Sequence, residues 1–151
     1  TEETYCNNLD VFIELFCTPL ETQQLIAAKS MPTAFSEMKT IVQLNRHFLL
    51  TLKQKKSEDK IGEALMEFAP YFKMYSNYVN NHERSSALLL KLTQNRRSKL
   101  CKFLNEAQQK ANGQSLQSFL ILPIQRIPRY ELCLREIIKL TADDHGDLAN
   151  L

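Results

Sequence analysis

Glycine and proline are scarce in this chain of 151 residues, which holds three of the first and five of the second. Residues 33–61 and 71–112 contain neither. A chain that is 44% apolar and runs so far without breakers builds long helices rather than many short strands and turns. Long apolar runs are missing too. The longest, Phe119–Ile124, is six residues interrupted by Pro123, too short to cross a bilayer. Neither sign of charge dominates: net charge is +2, which argues against a dedicated nucleic-acid binder. The three glycines are too far apart for a phosphate-cradling loop, and no GxSxG occurs. His47, His82 and His145 stand apart, none with a second ligand at i+3 or i+4, so no metal, cofactor or covalent active site is expected. The start, TEETYCNN, is acidic and polar and unlike a signal peptide, and a soluble cytoplasmic protein is expected.

What is present is helical periodicity. Tyr5, Leu9, Phe12, Ile13 and Phe16 mark a first helix that should stop near Thr18-Pro19, because a residue before proline avoids the helical region. After Pro32 a second runs through Phe35, Met38, Ile41, Val42, Phe48, Leu49 and Leu52, and Lys53–Lys60 reads as a surface loop or helix end. Ile61 to Val79 carries an aromatic stripe read as core, kinked or restarted at Pro70. Residues 84–111 should form another helix, stopped at Ala111-Asn112-Gly113. Its seven Lys or Arg, set against Glu83 and Glu106, read as a solvated face. A last helix should run from about Ser115 to Thr141, followed by an acidic loop with Asp143, Asp144 and Asp147. Cys6, Cys17, Cys101 and Cys133 form no CxxC pair and read as small buried apolar residues in a reducing compartment. The expected fold is all-α, a single elongated antiparallel bundle of at least five helices.

The stretch Leu116 to Thr141 is the most informative. Pro123 and Pro128 sit five apart with Gln125-Arg126 between them. Pro123 suits the first turn of a helix; Pro128 lies one turn in and frees the carbonyl of Ile124. At 100° per residue, Gln125, Arg129, Leu132 and Glu136 fall within roughly 60° of one another. The opposite side carries Ile127, Leu134, Ile138 and Thr141, extended by Ile124 and Leu120. Spacing alone leaves this stripe open to two readings, a partner surface or an ordinary solvated face.

The run LPIQRIPRYELCLREIIKLT resembles the third conserved region of Dbl-homology domains, whose helix reads approximately PxQRxxRYxLLLxEllkxT. Thr1–Leu20 resembles the family's first region, with its TE pair, and Phe35–Leu52 its second; IGEALMEFAPYFKMYSNYVNN resembles the segment between. The resemblance implies a guanine-nucleotide exchange factor that binds switch I and switch II of a Rho-family GTPase (Rho, Rac or Cdc type), tightest when nucleotide-free. An exchange-inactive scaffold of the same fold is the alternative. By the same resemblance Glu2 engages switch I from an exposed position, Arg129 reaches switch II, and Gln125 and Leu132 flank it. Ser118, Leu122 and Glu136 join the contact. Many members have Lys where Leu122 stands. Set against the family pattern, the chain is expected to begin just inside the first helix and to end before a final long helix and a pleckstrin-homology domain.

Overall fold

The computed structural model describes residues 1–151, the side chain of Lys29 apart. The elements in chain order are α1 (Glu2–Phe12), α2 (Thr18–Thr22), α3 (Thr33–Ser57), α4 (Ile61–Phe68), α5 (Phe72–Leu92), α6 (Lys99–Lys110), α7 (Leu116–Leu120) and α8 (Leu122–Leu140). Among the described residues there is no strand, and no helix is long and apolar enough to cross a membrane.

Three ladders of side-chain contacts fix the packing. Between α1–α2 and α3, Glu3 pairs with Lys53 (2.7 Å), Asp10 with Arg46 (2.5 Å) and Glu21 with Lys39 (2.6 Å). One number rises as the other falls, so the elements are antiparallel. Between α3 and α5, Asn45 donates to Tyr75 Oη (2.7 Å), Asn81 donates to Glu37 (2.7 Å) and the Ala34 amide donates to Ser85 Oγ (3.3 Å). Between α5 and α7–α8, the Phe72 and Tyr130 rings lie 5.9 Å apart, and Tyr78 Oη donates to the Leu120 carbonyl at 2.7 Å. The expected elongated antiparallel bundle is the observed one. Its core holds Leu9, Phe12, Phe16, Phe35, Met38, Tyr75, Tyr78, Phe119 and Leu120, all fully buried. The aromatic stripe is core through Phe68, Tyr75 and Tyr78; Tyr71 and Val79 of the same pattern are exposed.

Several helix limits differ from the sequence expectation, each for a local reason. The first helix does not stop at Pro19. A π-helical stretch, Ile13–Cys17, adds a residue to the turn just before it, and Pro19 then enters in the first turn of α2, where its missing N–H is not needed. Helix α3 ends at Ser57, within the stretch read as a loop or helix end, and Lys55 near its end pairs with Glu63 (3.1 Å) and Glu67 (3.8 Å) of α4. Nothing breaks the chain at residues 80–84, so α5 continues to Leu92, where Thr93 Oγ1 donates to the Leu89 carbonyl. The break falls at 93–98, and Ser98 then caps α6 by accepting from the Cys101 amide (3.1 Å). The stop at Asn112-Gly113 is where the sequence puts it, both residues having positive φ (53° and 85°). The last helix is two: α7 ends at Ile121, and α8 begins with Pro123 in its first turn and carries Pro128 inside.

The acidic loop proves to be structural. The Asp147 carboxylate accepts hydrogen bonds from the backbone amides of Gly62 and of Glu63 (3.0 Å), capping α4 from 84 residues away. Burial would raise its pKa, but the hydrogen bonds from Asn150, Gly62 and Glu63, helped by nearby His145, outweigh this and hold it below the usual aspartate range. The segment lies so close that a β-carbon at Gly62 would come within 2.8 Å of Asn150 Cβ and 2.9 Å of the Asp147 carbonyl oxygen. Gly62→Ala should therefore cost about 1–3 kcal/mol in urea unfolding, by overpacking against backbone. Asp147→Ala should cost about 1 kcal/mol at neutral pH. Because the folded pKa is lowered, that contribution is present above about pH 4 and is lost as pH falls through the folded value. A penalty that stayed constant from pH 7 to pH 3 would contradict the assignment.

Candidate GTPase-facing surface

Helix α8 has two faces with opposite chemistry. Outward lie Gln125, Arg129, Leu132 and Glu136, all exposed, with Leu132 64% accessible. Leu122, at the helix start, is half-buried. Arg129 makes no ion pair among the described residues, whereas Glu136 is paired with Lys139 at 2.6 Å. Ser118 is exposed but belongs to α7, beyond the break at Ile121, and its hydroxyl is 2.9 Å from that of the capping Ser115. The structure thus places five of the seven expected site residues on one stripe of α8 and Ser118 on a neighbouring helix.

Glu2 is the exception. It was expected on the exposed surface and is instead 6% accessible. Its helix start does lie against α8, beside the stripe, but its carboxylate faces inward and ion-pairs with Arg126, itself 3% exposed. The Tyr130 hydroxyl sits 2.9 Å and 3.1 Å from the two carboxylate oxygens of Glu2 and 2.9 Å from Asn45 Oδ1. With one proton to donate, it favours the charged acceptor. Asn45 Nδ2 donates to Tyr75 Oη and to the Ile41 carbonyl (2.8 Å), and Tyr75 Oη lies 3.3 Å from Tyr5 Oη. Four helices, α1, α3, α5 and α8, meet at this one buried polar cluster.

Arg126 is the residue that sequence reasoning missed. Its Nε and Nη1 meet no hydrogen-bond acceptor among the described residues. The guanidinium instead lies over the faces of Tyr130 (4.4 Å) and Tyr5 (4.9 Å), where the ring quadrupoles offset part of its desolvation. Its neighbourhood suppresses other ionisation: burial first, then neighbouring hydroxyls and Glu2, pushes the Tyr5 phenol far up, and burial pushes Tyr75 up to about 12. The other correction on this helix is Ile138, expected in the core and 42% exposed; the inward face follows Arg126 and Tyr130 rather than Ile138. Tyr130 is buried, and Leu134, expected on the inner side, is half-buried.

The four cysteines are free, Cys133 half-buried and the rest buried. Burial raises the thiol pKa of Cys6 to about 12 and of Cys17 to about 11, so neither supplies a thiolate near neutral pH.

Removing one member of the Glu2–Arg126 pair leaves the other charge buried without compensation, at a cost of about 3–5 kcal/mol. Glu2→Ala and Arg126→Met should each lower the urea midpoint accordingly. The double variant Glu2→Ala/Arg126→Met should be less destabilised than the two single losses added together. Strict additivity in that cycle would rule out a direct pair.

Comparison with known proteins accords with this geometry. The family model described as RhoGEF domain matches residues 1–151. "Rac guanine nucleotide exchange factor JJ" of Dictyostelium discoideum is 36% identical over 158 residues, covering 100% of this chain and 13% of that protein. The chain therefore spans about an eighth of that relative's length. Among solved structures, "Autoinhibited Vav1" superposes with a TM-score of 0.88 at 24% identity, covering 99% of this chain and 28% of that one. The DH domain of FARP2 superposes with a TM-score of 0.84 at 25% identity, covering 99% and 76%. With the family match running the length of the chain and the helices arranged as in a DH domain, this protein belongs to the RhoGEF domain family.

Proposed function

We propose that this domain binds switch I and switch II of a Rho-family small GTPase and speeds GDP release so that GTP can load. The observation that carries the reading is the outward stripe of α8. An arginine without an ion pair and a leucine 64% exposed stand on one helical face, flanked by Gln125 and Glu136. Neither stabilises the isolated fold. The relative named as a Rac exchange factor supports the same reading. No covalent chemistry is asked of the domain. Binding the switches in a shape that disrupts the Mg²⁺ and phosphate contacts lowers the barrier to nucleotide release, by tenfold for each 1.36 kcal/mol. Linkage makes the effect mutual, so nucleotide weakens the complex by the factor to which the domain weakens nucleotide binding.

The residues divide by what docking asks of them. Gln125, Arg129 and Leu132 meet a partner without rearrangement. Glu2 has first to leave Arg126 and Tyr130 to touch switch I, and until it does so its part is to hold α1 against α8 beside the stripe.

Release of a fluorescent GDP analogue from Rho-, Rac- and Cdc-type GTPases tests the proposal. The domain should accelerate release from at least one of them. Arg129→Glu should lower the rate at least about tenfold with an unchanged melting temperature, a change of about 1.4 kcal/mol in the release barrier. Binding to the nucleotide-free GTPase without any acceleration would assign the domain a scaffold role instead. Loss of melting temperature in Arg129→Glu would show that Arg129 is structural.

A further inference from the structure

The chain's positive charge is concentrated at one end. Residues 84–105 contain no Asp or Glu and hold Arg84, Lys91, Arg96, Arg97, Lys99 and Lys102. The net charge of +2 thus divides into +6 in these 22 residues and −4 over all the others. All six side chains are exposed, and none makes an ion pair or a side-chain hydrogen bond among the described residues. Elsewhere pairing is the rule: Lys39, Arg46 and Lys53 on α3, and Arg135 and Lys139 on α8, each meet a carboxylate.

Helix stability does not account for the arrangement. Lys91, in the last turn of α5, suits the negative end of that helix. Arg97, Lys99 and Lys102 surround the first turn of α6, the positive end, where cations are unfavourable and where there is no acidic residue. Beside Lys91 stands Leu90, 69% exposed. The contact ladders put this α5–α6 turn beyond the start of α3, while Asp143, Asp144 and Asp147 lie at the other end, against the start of α4. The molecule is therefore charge-polarised along its length.

The form of the patch selects the occupant. No single cleft gathers the cations: Arg96 edges one groove with Leu90, and Lys99 and Lys102 edge another. A bound peptide or small anion would meet only one subset. Nucleic acid would be served by exposed aromatic rings, and Phe103, the one aromatic residue in the segment, packs against the core. A broad array of negative headgroups meets both groove edges together and offers Leu90 an apolar layer.

We propose that the α5–α6 end of this domain docks on an anionic lipid bilayer, with Leu90 entering the interface. This does not depend on the GTPase reading, and it leaves the α8 stripe on the flank of the bundle, clear of the membrane.

Vesicle flotation with the whole chain tests it. The protein should float with phosphatidylcholine vesicles containing 30% phosphatidylserine, stay behind with phosphatidylcholine alone, and be released by 0.5 M NaCl. Each cation near the surface is worth about fivefold in affinity. Reversing two, a change of four charges, as Arg96→Glu/Arg97→Glu or as Lys99→Glu/Lys102→Glu, should weaken binding several hundredfold with melting unchanged. Leu90→Ser should weaken it several-fold. Lys56→Glu/Lys73→Glu, exposed cations outside the patch, should leave it nearly unchanged. Absence of flotation at low salt would overturn the proposal, as would equal losses in the Lys56/Lys73 pair. Retention on polyglutamate without vesicle binding would reassign the patch to an acidic protein and overturn it too.

Discussion

The buried pair of Glu2 and Arg126 is the constraint on which the rest of the bundle depends. An antiparallel bundle with apolar seams has a weak sense of register, since one helix can slide past another by a turn, about 5.4 Å, and still bury leucine against phenylalanine. A buried guanidinium does not tolerate that slip. Displaced by one turn, Arg126 would lose Glu2 and keep its desolvation cost, and Tyr130 would lose its acceptor in the same step. The cluster ties α1, α3, α5 and α8 to one level, and it does so with residues 124 positions apart in the chain. The aromatic faces of Tyr5 and Tyr130 make the arrangement tolerable by standing where water would otherwise solvate the cation.

That constraint also sets the outward surface. Arg126 and Tyr130 share α8 with Gln125, Arg129 and Leu132, and on one rigid helix the azimuth of the inner face dictates that of the outer. If this surface distorts a partner's loops, as proposed, it has to be stiffer than those loops, because a compliant surface would deform instead. Prolines at 123 and 128 restrict the backbone of the first turns, and the ion pair locks the helix about its axis. Glu2 thus helps to set the azimuth of the outward stripe even while its carboxylate faces the interior.

The sequence made the architecture legible and the interior chemistry much less so. Missing glycine and proline, with apolar steps of three and four, were enough for long helices, and Gly113 marked a true stop. Pro19 misled because a π turn accommodates it, a device that leaves no local signature. The limit of α5 was misplaced because its end depends on Thr93 and Ser98, small polar residues that also occur inside helices. The outward stripe of α8 followed from angular spacing. Arg126 did not: an arginine next to exposed Gln125 reads as solvated, and only its meeting with Glu2 across the fold reverses that. The one sequence hint was its place between Pro123 and Pro128, a rigid helix start whose restriction points to a side chain that must not move. Asp147 escaped for the same reason, as its partners Gly62 and Glu63 lie across the fold.

The α8 stripe and the α5–α6 turn couple only weakly through their charges, and the geometry shows why. Tyr130 stands level with Tyr75 through Asn45, and α5 climbs 17 residues from Tyr75 to Leu92, about 25 Å at 1.5 Å per residue. At physiological ionic strength the screening length is about 8 Å, so the turn lies roughly three screening lengths from that level, while Arg84, lower on α5, lies about 14 Å from it, under two. Charge on the α5–α6 turn therefore has little direct effect on the affinity of Arg129 for a partner. It acts on where the domain sits and how it is turned, because a molecule carrying +6 at one end and −4 over the remainder has a preferred orientation at a negative surface. Held by that end, the bundle stands with its long axis away from the surface and its α8 stripe exposed along the side, where diffusion in two dimensions rather than three brings it to any partner confined to the same surface.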